Sequence, residues 1–176
     1  FLYYAPWHDQ SEKNVLGYTI PAGGGRRDGE IVIDILTRDA RIAPLTAGFI
    51  AQKMCRWFWG YEPPVSLVEA VKETYLGTDG DIKAMVRTIL SRANLANATP
   101  KYKRPYETII SCLRATHGEV GTPLNILNTL DAAGHVPFYW GPPDGYPDRL
   151  DFWAGLILPR WNFAFSYLNR ELAGVS

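Results

Sequence analysis

The chain has 176 residues, 47% of them hydrophobic, enough to bury one sizeable core, so a single helical domain over residues 1–176 is expected. Its 18 basic and 18 acidic side chains cancel to a net charge of zero, which excludes a bulk electrostatic attraction to nucleic acid or to an anionic membrane. No apolar run reaches the roughly 18 residues of a transmembrane span, and no basic start with a short apolar run marks a signal peptide.

The chain opens on Phe-Leu-Tyr-Tyr-Ala-Pro-Trp, with Phe1 where an initiator methionine would stand. An apolar opening of this kind predicts the interior of a longer folded protein, whose missing N-terminal half, or another chain, would cover Tyr3, Tyr4 and Trp7. Residues 1–27 read as an irregular segment containing a Gly23-Gly24-Gly25 run. Asp28 is then expected to cap a short helix carrying Ile31, Ile33, Ile35 and Leu36, with Glu30 in its first turn. A stronger helix is predicted over about Leu45 to Trp59, where Phe49, Ile50, Met54, Trp57 and Phe58 recur at three- and four-residue spacing before Gly60 and Pro63-Pro64 stop it.

Ser66 begins the next periodic run, through Leu67, Val68, Val71, Tyr75 and Leu76. Asp81 caps another through Ile82, Met85, Val86 and Ile89, and the two are read as a helical hairpin. Pro105 suits the first position of a helix through Ile109, Ile110 and Leu113. Thr122-Pro123 opens a further one, closed by Gly134. A last helix starts at Asp148 or Asp151 and runs through Trp153, Leu156, Trp161 and Phe165, interrupted or tilted at Pro159. The only strand-like alternation, Ile31-Val32-Ile33, is too short to count, so the fold class expected is all-α, with six or seven helices. The aromatic stripe Met54, Trp57, Phe58 and Tyr61 is read as core, and Trp153 and Trp161, eight apart, are placed on one buried helical face.

Between the last two helices lies the most informative segment, the run from Pro137 to Trp153. Its four prolines and two glycines oppose regular structure. Tyr139, Trp140 and Tyr146 offer flat apolar faces to a sugar ring or a partner protein, with Asp144 and Asp148 as hydrogen-bonding neighbours. The expected role of this loop is binding.

Several sets of residues resemble one family in their order along nearly the whole chain. They are His8-Asp9 with Lys13 and Gly17, Thr46-Ala47 with Phe49-Ile50 and Lys53, Pro63-Pro64, Lys103-Arg104-Pro105 with Glu107 and Leu113-Arg114, and finally Gly134, Pro137-Phe138, Pro142 to Pro147, Trp153 and Arg160. The chain resembles the C-terminal part of the bacterial family catalogued as domain of unknown function 1800. That resemblance implies a mostly helical, exported protein located in the periplasm, at the cell surface or outside the cell, and it supplies no activity. Trp57-Phe58-Trp59 and Tyr139-Trp140 are more aromatic than the family's pattern requires.

Candidates for chemistry are sparse. His8 and Asp9, with Glu107 as a second carboxylate, could form an acid–base set acting on a surface polysaccharide, or Asp9 could simply cap the next turn. His117 and His135 stand at no ligand spacing relative to His8, so neither a metal nor a cofactor is expected. Asp144 and Asp148 lack the ordered ligand series of a calcium loop. Arg26 and Arg27 after the glycine run could meet an anion at a helix start, but no phosphate-loop pattern accompanies them. Lys101, Lys103 and Arg104 among Tyr102 and Tyr106 are too few to hold nucleic acid. Cys55 and Cys112 sit in apolar helical patterns and read as buried thiols.

Overall fold

The computed structural model describes residues 2–175, and its packing divides the chain into two compact units, Phe1–Ala98 and Thr99–Ser176. Among the described residues the fold is mostly helical, with nine α-helices rather than six or seven and one small two-stranded sheet that corrects the strictly all-α expectation.

That sheet belongs to the first unit, where β1 (Lys13–Val15) pairs antiparallel with β2 (Tyr18–Ile20) in the register Lys13 to Ile20 and Val15 to Tyr18. The turn places Leu16 at φ 53° and Gly17 at φ 83°, the double positive-φ geometry that matches the twist of a two-residue hairpin. Ile20 anchors the hairpin in the interior, and the Tyr18 hydroxyl donates to Asp39 just beyond α1 (Arg26–Arg38). Asp28 is not the cap of α1: Gly25 occupies that place, and Asp28 sits inside the first turn.

The core of the first unit is built by α2 (Ala43–Phe58), α3 (Val65–Gly77) and α4 (Ile82–Ile89). The expected aromatic stripe of α2 is not its buried face. Trp57 and Phe58 are exposed, Met54 is half-buried, and the face turned inward is Ala43, Ala47, Ala51 and Cys55, small residues recurring every four positions. Their size lets the larger side chains of the neighbouring helices, Leu67, Val71 and Tyr75 of α3 and Met85 and Ile89 of α4, fill the interior. Asp81 caps α4 as expected, accepting from the backbone N–H of Lys83 at 2.8 Å and of Ala84 at 3.2 Å. A short α5 (Arg92–Leu95), absent from the sequence reading, follows, and the carbonyl of Asn94 accepts from the indole N–H of buried Trp59.

Cys55 and Cys112 are free thiols. Burial pushes the Cys55 thiol up to about 11, and the thiolate is the form that reacts. A thiol reagent at about pH 8 is therefore expected to leave Cys55 unmodified in the native protein and to label it only after denaturation, as read by mass spectrometry of the modified peptides.

In the second unit α6 (Pro105–Thr116), α7 (Leu124–Ala132) and α9 (Leu158–Leu168) enclose Ile109, Leu113, Ile126, Leu130 and Phe163, and α8 (Leu150–Ala154) precedes α9. Pro105 stands in the first turn of α6, where its missing N–H costs nothing. The last helix of the sequence reading is two helices, broken over residues 155–157, with Pro159 opening the second. Trp153 and Trp161 therefore share no helical face: the first is wholly buried and the second 59% exposed. The end of the chain returns to the α6–α7 connection, where Val120 bridges Val175 and the Gly174 carbonyl accepts from the N–H of Gly121 and of Thr122.

Candidate functional site

In the second unit the Pro137–Pro147 loop is folded back on a platform that the sequence shows only in fragments. Trp153 is its centre. The indole N–H donates to the Pro147 carbonyl at 2.7 Å, and the ring lies against His135, Tyr146 and Phe152 with centroid separations of 4.6, 5.8 and 4.8 Å. Tyr146 packs in turn on His135 and Trp140 and donates its hydroxyl proton to the Val136 carbonyl at 2.8 Å. The Trp140 indole N–H reaches Asp144 at 3.2 Å. Aromatic rings brought this close gain more from one another than from water. Trp140 and Tyr146 are accordingly half-buried, and Tyr139 is the exposed ring among the three candidates.

Beside Tyr139, Phe138 carries its ring wholly into solvent at φ 65°, a left-handed backbone conformation disfavoured for a bulky residue. The loop holds this geometry because its two ends are fixed, by Tyr146 on Val136 and by Trp153 on Pro147.

The other candidate of the loop, Asp148, is an ion-pair hub. Its two oxygens take Arg104 Nη2 at 2.6 Å and Lys101 Nζ at 2.9 Å. Burial by itself would raise this carboxyl, but the hydrogen bonds from Lys101 and Arg104 overcome it and hold the group below the ordinary aspartate value. Arg160, buried, donates from Nη1 to the Lys103 carbonyl at 2.8 Å and from Nη2 to the Trp153 carbonyl at 3.1 Å, tying the start of α9 to the platform. Glu107 stands at the third position of α6 and accepts from the Arg104 backbone N–H at 2.9 Å, the reciprocal half of a capping box.

His135, which stands in the sequence at no ligand spacing, is a buried part of the platform. Its Nδ1 accepts from the Tyr106 N–H at 3.2 Å, so the ring proton resides on Nε2. Burial lowers its pKa, the Arg104 and Arg160 cations lower it further, and Glu107 opposes them. The native state thus holds His135 neutral while the unfolded chain takes up a proton near pH ~6.5. Stability is then unaffected above that pH and falls as the pH drops below it. Melting temperatures of the second unit measured from about pH 7 to about pH 5 are expected to decline, and His135→Gln, which keeps an acceptor for Tyr106, is expected to flatten the decline.

In the first unit His8 finds its carboxylate in Asp28, not in the adjacent Asp9. His8 Nε2 and Lys13 Nζ both lie on one Asp28 oxygen, at 2.8 and 2.9 Å, and Asp28 is only 3% exposed. The hydrogen bond from Lys13, and after it the one from His8, holds Asp28 below the ordinary aspartate value. Its second oxygen is buried against Gly24, where a Cβ would stand 2.0 Å from it. The glycine run therefore admits the chain's own carboxylate at the start of α1, in the place where a bound anion would otherwise sit. Arg26 and Arg27 both pair with Glu30, at 2.9 and 3.2 Å. Asp9 accepts from the Ser11 hydroxyl and N–H, which lowers its pKa.

Both clusters use residues that stand in the order of one family. The chain belongs to that family. Its description is "Protein of unknown function (DUF1800)", and its sequence model matches residues 1–173. No curated protein and no solved structure matches the chain. In this DUF1800 member Lys13 supports the His8 carboxylate partner, and Trp153 and Arg160 support the aromatic loop. Among the described residues no three His, Cys, Asp or Glu side chains gather as a metal site, and no helix is long and apolar enough to cross a membrane.

The sequence reading missed Asp28 as the partner of His8 and His135 as a packing centre. Signals for both exist: a glycine run immediately before an aspartate, and a histidine directly after the Gly134 that stops α7 at φ 63°.

Proposed function

We propose that this protein is a binding or assembly module of the bacterial cell envelope that engages a partner protein through its aromatic loop, with Phe138 and Tyr139 as the contacting rings. One observation carries the reading: Phe138 is fully exposed in an unfavourable backbone conformation on a loop fixed at both ends. Rings held in that way lose little conformational freedom on docking, which favours affinity. A protein surface suits them better than a sugar polymer, because Asp148 is engaged by Lys101 and Arg104, and Asp144 by the Trp140 indole. Trp140, Asp144, Tyr146 and Asp148 then serve as the support of the contact.

The test compares the protein with its Phe138→Ser, Tyr139→Ser double variant in crosslinking to envelope proteins and in binding to purified envelope polysaccharide. Loss of a defined protein crosslink in the double variant, with an unchanged melting curve, supports the proposal. Equal crosslinking by both overturns it, and polysaccharide binding lost in the variant would move the assignment to a sugar polymer.

A second reading, an enzyme acting on surface polysaccharide, is favoured by the His8–Asp28 pair alone, since a buried carboxylate orienting an imidazole is a common acid–base unit. Polysaccharide hydrolysis by the wild type that disappears in His8→Gln would establish it.

A further inference from the structure

The helix α9 has two apolar faces, and the fold uses one of them. Phe163 is buried and Tyr167 half-buried against the interior of the second unit. Ile157, Trp161, Phe165 and Leu168 follow one another at steps of four, four and three, which places them on a single different stripe, and all four are exposed. That stripe forms one wall of a groove of about 600 Å³, and Tyr102 and Lys103 contribute to the other. The volume is that of a small-molecule site.

The charged groups at the groove, Lys103 and Arg160, carry one sign. Arg160 lies 4.5 Å from the centroid of the Tyr102 ring and donates to the Lys103 carbonyl. Lys101 and Arg104 are bound to Asp148. Lys103 makes no ion pair with any carboxylate among the described residues, and no acidic side chain lines the groove. An exposed ammonium with no carboxylate partner among the described residues, beside an apolar trough, is complementary to a ligand with a long hydrocarbon body and a single anionic head. The body leaves water for Trp161, Phe165 and Leu168, and the head exchanges hydration for the Lys103 cation. A sugar polymer would find few hydrogen-bonding partners along this stripe, and a polyanion would find too few cations.

We propose that this groove is a binding site for a single-chain anionic amphiphile, a long-chain carboxylate whose hydrocarbon lies along the α9 stripe and whose head meets Lys103. The site is separate from the Phe138–Tyr139 surface and stands whether or not that surface binds a protein.

The experiment titrates the full chain with bromine-labelled stearate below its aggregation concentration and follows quenching of tryptophan fluorescence. Saturable quenching is expected, strongly reduced in Trp161→Phe because the nearest emitter is gone. Lys103→Gln is expected to weaken binding about tenfold, the effect of one lost charge-assisted contact. A neutral long-chain alcohol of the same length should bind the wild type as weakly as the carboxylate binds Lys103→Gln. Phe165→Asp should abolish binding with an unchanged circular dichroism spectrum, and Leu168→Ser provides the same reading if Phe165→Asp does not fold. Phe138→Ser, Tyr139→Ser should bind stearate as the wild type does. Non-saturable quenching, equal binding by Lys103→Gln, or equal binding of the alcohol would each overturn the proposal. So would failure of stearate together with binding of an amphipathic helical peptide, which would assign the groove to a protein partner.

Discussion

Trp153→Ala is expected to destabilise the second unit by about 3–5 kcal/mol, the range for truncating a large buried aromatic side chain. Trp153 has no exposed surface, and its ring lies against His135, Tyr146 and Phe152 while its N–H holds the Pro147 carbonyl. Alanine removes the ring that three neighbours share and orphans that carbonyl. In a unit of this size the loss corresponds to a fall in melting temperature of more than about 10 °C. Trp153→Phe separates the two contributions, because it retains a ring and loses the hydrogen bond, with an expected cost of about 1–2 kcal/mol. Denaturant titration followed by near-ultraviolet circular dichroism is the measurement, and an alanine variant within about 1 kcal/mol of the wild type would show that the loop is not supported from Trp153. The proposed partner binding through Phe138 and Tyr139 should fall with it, because their presentation depends on the fixed end of the loop.

Ala51→Leu is expected to cost the first unit at least about 1–3 kcal/mol by overpacking. Ala51 is fully buried on the small-residue face of α2, in one cluster with Val71 and Tyr75 of α3 and Met85 of α4. Leucine must push these side chains off their rotamers or the helices apart. Trp57→Ala on the other side of the same helix is expected to change stability by less than about 1 kcal/mol, since half of that side chain is already in water. The contrast is a direct reading of which face of α2 is inward: equal losses in the two variants would contradict the arrangement described above.

The two substitutions also show where the sequence is readable and where it is not. Local chemistry is legible: Asp81 as a cap, Pro105 in a first turn and Pro159 at the opening of α9 act through atoms a few positions away. Burial is less so, because size was read as a proxy for depth. On α2 the larger residues Phe49, Trp57 and Phe58 face solvent and the alanines face the core, an inversion that arises when neighbouring helices supply the bulk. The hairpin at residues 13–20 was missed because Leu16-Gly17 is not the usual Asn-Gly turn pair, even though the backbone adopts the corresponding turn.

The candidate site divides along the same line. That the Pro137–Pro147 run is irregular and aromatic could be read directly. That Trp140 and Tyr146 turn toward the protein could not, since Tyr146 stacks on His135 and Trp153, which flank the loop on either side in sequence, and Trp140 packs in turn on Tyr146 and Phe152. The partnership of His8 with Asp28 spans twenty residues, beyond the reach of any spacing argument.

The strap formed by the last described residues on the α6–α7 connection has a consequence for synthesis on the ribosome. Gly174 supplies the carbonyl for Gly121 and Thr122, and Ala173 supplies another for the Asn125 amide at 2.8 Å. These contacts join residues separated by about fifty positions, so they cannot form while residues 173–175 remain in the exit tunnel. The first unit, which ends at Ala98, leaves the ribosome before the second, and the exposed rings of Phe138 and Tyr139 emerge before the residues of the strap.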